Sequence, residues 1–243
     1  MRMRVLIGIA SGLFVAAFAA GAENVMRAPA PAAVLAPQFV TLTAFDFGAL
    51  LPAPPVAGSL AAQADLETVL QVQASRSATD VAWAKLVEKD DVFNHASVLG
   101  AWFAAERLPR TAALFKAIGN DLRALDGAAK KPFLRPRPTT VDPRVQPCVN
   151  LPASTSYPSG SAMQAFVWAE LLAEVFPVKR EALIARAARA AWGRVIGGVH
   201  FPTDIEAGRN LAPLYLAECR KNADYRTAFA AARAELLAAA GTL

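Results

Sequence analysis

From Ser59 onward, apolar residues recur at intervals of three and four and never in a sustained alternation of two. Leu114, Phe115, Ile118, Leu122 and Leu125 fall on one face of a helix. So do Leu183, Ile184, Ala188, Trp192 and Val195, and again Tyr225, Phe229, Ala232 and Leu236. A stripe of that period is buried against other helices, whereas a strand would need a period of two. The punctuation agrees. Ser77 with Asp80 three residues on forms a capping-box pattern ahead of Trp83, Leu86 and Val87. Pro177 stops a helix running through Phe166, Val167, Leu171, Leu172 and Val175, and Asn222 caps the last one. Hydrophobic residues are 55% of the chain, and alanine supplies much of that, which favours closely packed helices. There is no internal repeat. The sequence predicts an all-α fold, a single helical-bundle domain over residues 59–243.

Two different segments precede it. Residues 1–22 read as a secretory signal peptide: Arg2 and Arg4, an apolar run from Val5 to Ala20, then Ala20-Gly21-Ala22 as a cleavage pattern before Glu23. The alternative is a retained anchor, for which the run is short. Residues 23–58 form a Pro/Ala-rich N-terminal arm. Its apolar pieces, Phe39-Val40, Phe45, Phe47 and Leu50-Leu51, imply that it packs on something. No later stretch is long and charge-free enough to span a bilayer, so no membrane partner is expected once the signal is gone. Removing Arg2 and Arg4 takes the formal charge from +5 to +3, with no long basic stripe, which gives no ground for a nucleic-acid partner. Cys148 and Cys219 permit one disulfide in an oxidising compartment; two separate buried thiols are the alternative.

Three segments offer chemistry. Lys130-Lys131-Pro132-Phe133-Leu134-Arg135-Pro136-Arg137-Pro138 clusters cations among prolines. Guanidinium forks match phosphate oxygens, and lysine adds a mobile point charge. Tyr157-Pro158-Ser159-Gly160-Ser161 puts serine and glycine at the mouth of a helix, where free N–H groups and the positive dipole end attract anions. In Gly193-Arg194-Val195-Ile196-Gly197-Gly198-Val199-His200-Phe201-Pro202-Thr203-Asp204, Pro202 suits a first helical position. His200 then sits on a turn with Asp204 in the first turn beyond, able to hold one imidazole nitrogen and leave the other free. Taken singly, each has an ordinary reading: a solvated basic loop, a serine N-cap, a structural His–Asp pair.

Taken together, they resemble the three-part signature of the type 2 phosphatidic acid phosphatase superfamily: K-x6-R-P, then P-S-G-H, then S-R-x5-H-x3-D. Lys130 and Arg137-Pro138 match the first part, and Pro158-Ser159-Gly160 the second except at its end. Arg194, His200 and Asp204 match the third, with Gly193 in place of serine. Three spaced motifs in order are far more specific than any one of them. Within that superfamily, which includes vanadium-dependent haloperoxidases, the chain looks most like bacterial class A non-specific acid phosphatases over roughly residues 48–238. The resemblance implies a periplasmic location, hydrolysis of phosphomonoesters with phosphate as product, no metal and no other cofactor, and a possible homodimer. It implies His200 as nucleophile forming a phosphohistidine and Asp204 as its orienting carboxylate. Lys130, Arg137 and Arg194 would grip the phosphoryl oxygens, and Ser159 and Gly160 would complete the cradle.

One departure cuts into that reading. The family's P-S-G-H histidine, which protonates the leaving oxygen and then helps water attack the phosphoenzyme, is Ser161 here. A serine hydroxyl cannot do acid–base work at these pH values, and that work is worth about 10²–10⁴-fold in rate. The other histidine, His95, is expected to be structural or exposed; Glu170, Asp142 or a water held by Ser161 are the stand-ins the sequence offers. The sequence therefore predicts an acid phosphatase weakened toward alkyl phosphates relative to aryl phosphates. The alternative is a phosphate-binding relative that has lost turnover.

Overall fold

One helix is apolar on every side, and such a helix belongs at the centre of a bundle. Helix α4, Gly160–Val175, buries Met163, Phe166, Val167, Trp168, Leu171, Leu172 and Val175 among others. The computed structural model of the chain describes residues 36–241, so the expected signal peptide and the first part of the arm lie outside the described residues. Around α4 pack α5 (Arg180–Ile196), α6 (Pro202–Cys219) and α3 (Pro109–Lys130). Helix α7 (Ala223–Ala240) lies on α3, while α1 (Leu60–Ser75) and α2 (Ala78–Leu86) cover α5. Short helical turns fill the connections, and no strand occurs among the described residues. The described residues form an all-α fold, a single helical bundle.

The sequence signals explain most element ends. Ser77 and Asp80 form the capping box, the Asn222 side chain accepts from the Tyr225 N–H, and Pro202 occupies the first turn of α6. The stripe Leu114, Phe115, Ile118, Leu122 and Leu125 of α3 is buried throughout. The α5 stripe is displaced from the expected face: Ala188 is exposed and Trp192 is 39% exposed, while Arg186, Ala187, Ala190, Ala191 and Arg194 turn inward. Small alanines let α5 lie close against α4, a spacing that an indole would prevent.

The arm is bound to the bundle by both apolar and polar contacts. Phe39, Val40, Phe45, Phe47 and Leu51 join the main core. The buried Asp121 of α3 accepts the N–H groups of Gln38 and Phe39 at 2.6 and 2.9 Å, and the Tyr157 hydroxyl donates to the Pro52 carbonyl. The permitted disulfide is absent: Cys148 and Cys219 are both free thiols. Cys148 lies against the Ile196 carbonyl at the end of α5, and Cys219 is buried in the last turn of α6, where burial pushes its thiol up to about 12.

Helix α6 reaches α4 so closely because residue 208 is glycine. A Cβ there would overlap the Ser159 carbonyl and stand 3.0 Å from the Ala162 Cβ. Backbone cannot yield as a flexible side chain can, so Gly208→Ala is expected to lower stability by about 1–3 kcal/mol, read as a fall in thermal midpoint. An unchanged midpoint would refute this close packing.

Candidate active site

The turn between α5 and α6 decides where His200 points. Gly198 adopts φ +74°, a left-handed conformation that reverses the chain, and a Cβ there would meet the Pro147 Cα at 3.3 Å. His200 follows, then Phe201 as extended N-cap and Pro202 opening α6. Asp204, in that first turn, reaches back to the Phe201 N–H at 2.9 Å and accepts from His200 Nδ1 at 3.2 Å. Ser156 Oγ donates to the same carboxylate oxygen, and Arg135 Nη1 lies 2.7 Å from the other. Burial alone would raise the Asp204 carboxyl; the hydrogen bond and charge of His200, then Arg135 and Ser156, hold it below its ordinary value. A carboxylate can only accept, so His200 Nδ1 carries the proton and Nε2 keeps its lone pair on the cavity side.

That Nε2 lies 3.2 Å from Arg137 Nη1. Arg137 is held rigidly: it donates to the carbonyls of Ser154 at 2.7 Å, Val199 at 2.6 Å and Thr155 at 3.2 Å. Burial, helped by Arg137 and Lys130, pushes His200 down to about 3 against the pull of Asp204, so the imidazole stays neutral in mild acid. Lys130, in the last turn of α3, donates to the Pro158 carbonyl and pairs with Asp126 at 2.9 Å. Arg194, in the last turn of α5, is 3% exposed, and neither its Nε nor its Nη1 has a hydrogen-bond partner. Burial lowers all three cations, Arg137 to about 10 with Arg194 pushing it further. Positive charge so buried and crowded favours the approach of an anion.

The mouth of α4 faces the same space. Ser159 is its N-cap: the Ser159 Oγ accepts from the Ala162 N–H, and its own N–H donates to the Asp204 carbonyl at 3.0 Å. Lys130, Arg137, Gly160, Ser161, Arg194 and His200 line one cavity of about 1330 Å³, with Ser159 and Asp204 fully buried beside it. All eight residues singled out in the sequence are thus brought together.

The stand-ins are not. Glu170 pairs with Arg180 and Asp142 with Arg144, and neither lines the cavity. His95 is wholly buried rather than exposed; its Nδ1 meets the Val92 carbonyl at 2.9 Å, and burial lowers it to about 4. Gly193, where the signature has serine, abuts Val87, whose Cγ2 would lie 2.5 Å from an added Cβ. Among the described residues, no three His, Cys, Asp or Glu side chains gather as metal ligands do, and no helix is long and apolar enough to cross a membrane.

Sequence reasoning missed the support of Asp204. Arg135 links Asp204 to Asp65 of α1 at 2.7 Å on either side, and Thr203 donates to Asp65 as well. The only sequence hint was a second arginine two residues before Arg137. It also missed Asp126, whose signal was its i,i+4 spacing from Lys130 on α3.

Known proteins resemble this chain in sequence and in fold. A family model described as the PAP2 superfamily matches residues 111–228, which contain every residue of the site. An acid phosphatase of Zymomonas mobilis is 30% identical over 199 residues, spanning 76% of this chain and 74% of that one. A bacterial vanadium-dependent iodoperoxidase shares the fold with a TM-score of 0.52 at 18% identity, over 73% of this chain and 54% of the other. A transmembrane PAP2-type phosphatidylglycerolphosphate phosphatase from Bacillus subtilis gives a TM-score of 0.48 at 20% identity, over 68% and 87%.

Proposed function

The chain belongs to the PAP2 superfamily, and from that premise we propose that it is a periplasmic acid phosphatase of the class A kind, hydrolysing phosphomonoesters through a phosphohistidine on His200. The observation that carries the reading is a neutral imidazole nitrogen, fixed by Asp204, facing three buried cations in one cavity. The phosphoryl group sits where those cations converge, with its oxygens on Lys130, Arg137, Arg194 and the free N–H groups at the mouth of α4. His200 Nε2 attacks phosphorus, the ester bond breaks, and Asp204 stabilises the imidazolium as it forms. Phosphoryl transfer asks mainly for positioning and charge stabilisation, and fixed cations supply both without a metal ion.

The purified protein, given p-nitrophenyl phosphate in mild acid with chelator present, is expected to turn over steadily. Quenching into alkali is expected to trap labelled phosphate on His200, because phosphohistidine survives base. Absence of both turnover and label would overturn the reading. One observation, Ser161 in place of the family histidine, favours a second reading: a catalytically impaired relative that binds phosphate. Tight phosphate binding with neither label nor product would establish that instead.

A further inference from the structure

Ser161 leaves the leaving-group side of the cavity without the family's proton donor, yet a carboxylate stands beside it. Asp126 lies one turn before Lys130 on α3 and lines the cavity together with Gly160, Ser161, Arg137 and His200. Its side chain is 28% exposed, open enough to exchange protons with solvent. The carboxylate approaches the first residue of α4 so closely that a Cβ on Gly160 would overlap Oδ1 and stand 2.5 Å from Cγ. The glycine therefore admits Asp126 to the helix mouth, next to Ser161. Lys130 Nζ holds Oδ1 at 2.9 Å, and the Asp126 charge is felt by Arg137 as well.

We propose that Asp126 is the general acid and base of this site, in the place that Ser161 vacates; the role rests on the phosphatase reading above. In the first step the P–O bond to the leaving group breaks as His200 Nε2 bonds to phosphorus. The leaving oxygen takes the proton of the Asp126 carboxylic acid, giving the free alcohol, a phosphohistidine and the Asp126 carboxylate. In the second step a water oxygen attacks phosphorus, its proton passes to the Asp126 carboxylate, and the P–N electron pair returns to Nε2. Atoms and protons balance over the cycle, and Asp126 ends as it began.

A residue that only neutralises Lys130 and one that delivers a proton differ in their dependence on the leaving group. p-Nitrophenolate departs with little need of a proton, whereas glycerol cannot. Asp126→Asn is expected to lower kcat/KM, which reports the step that breaks the P–O bond and not the shared hydrolysis of the phosphohistidine, about 10²–10⁴-fold on glycerol phosphate and tenfold or less on p-nitrophenyl phosphate, about the worth of general acid catalysis. Equal losses on the two esters, or no loss on either, would overturn the proposal. So would an unmodified protein that turns over the aryl ester but never the alkyl one. If circular dichroism shows Asp126→Asn unfolded, Asp126→Glu carries the test: the displaced carboxylate is expected to slow the alkyl ester more than the aryl ester, and equal slowing overturns the role. Failure of the unmodified protein to turn over either ester or to label His200 sinks the phosphatase reading itself, an outcome distinct from loss of the Asp126 role alone.

Discussion

His200→Ala is expected to abolish turnover of p-nitrophenyl phosphate, with a loss of about 10⁴-fold or more, while phosphate still binds to within about tenfold. The two readouts separate because the groups are separate. In the proposed mechanism Lys130, Arg137, Arg194 and the α4 mouth attract the anion; Arg137 meets the imidazole at 3.2 Å but is anchored mainly by backbone carbonyls, while Lys130 is held by the Pro158 carbonyl and Asp126. Arg137 in particular keeps the carbonyls of Ser154, Thr155 and Val199 when His200 is gone. What vanishes is the one neutral nucleophile with its lone pair directed into the cavity. Phosphate binding can be followed as a rise in thermal midpoint, since a ligand that binds only the folded state stabilises it in proportion to the logarithm of its concentration. If His200→Ala retained turnover, the phosphohistidine route would be wrong. If it lost phosphate binding along with turnover, the imidazole would be part of the clamp and not only the attacking group.

The gathering of these residues at one cavity was legible in the sequence because they sit at fixed offsets within three short segments. Local backbone rules did the rest: Pro202 fixed the start of α6, which put Asp204 one turn beyond His200, and Ser159 capped α4. Two kinds of information were not local. Arg135 orients Asp204 through a buried chain to Asp65, a residue 139 positions earlier than Asp204, and no spacing within a segment announces that contact. Asp126 faces Gly160 only because α3 and α4 cross at that point. The α5 face was misplaced for a related reason. Hydrophobicity favoured Trp192 as a core residue, whereas the short distance to α4 admitted Ala187, Ala190 and Ala191 and left the indole outside. The cysteines show the same limit: an even count permits a bridge, but Cys148 lies on a loop against α5 and Cys219 inside α6.

Arg194 is where binding and stability should oppose each other most clearly. Its guanidinium is almost wholly buried, and two of its nitrogens have no hydrogen-bond partner. A buried donor left unpaired costs about 1–3 kcal/mol, and a charged one more. The folded chain tolerates that cost in the anion-free state, and an arriving phosphate lessens it by accepting from the guanidinium. Arg194→Met keeps a long, unbranched, helix-compatible side chain and deletes the charge. The variant is expected to lose about 10²–10⁴-fold in kcat/KM, because hydrogen bonds to a charged partner are worth about 1.5–3 kcal/mol each and strengthen as charge shifts in the transition state. Without phosphate its thermal midpoint should rise above that of the parent, and added phosphate should move it far less than it moves the parent. A lowered midpoint in the anion-free variant would mean that the guanidinium anchors the fold, and the orphaned nitrogens would no longer argue for an anion site. A raised midpoint with phosphate binding intact would leave the stability argument standing but transfer the grip on phosphate to Lys130, Arg137 and the helix mouth. Loss of binding with a gain in stability is the combination expected of a residue held in an unfavourable place for the sake of its ligand.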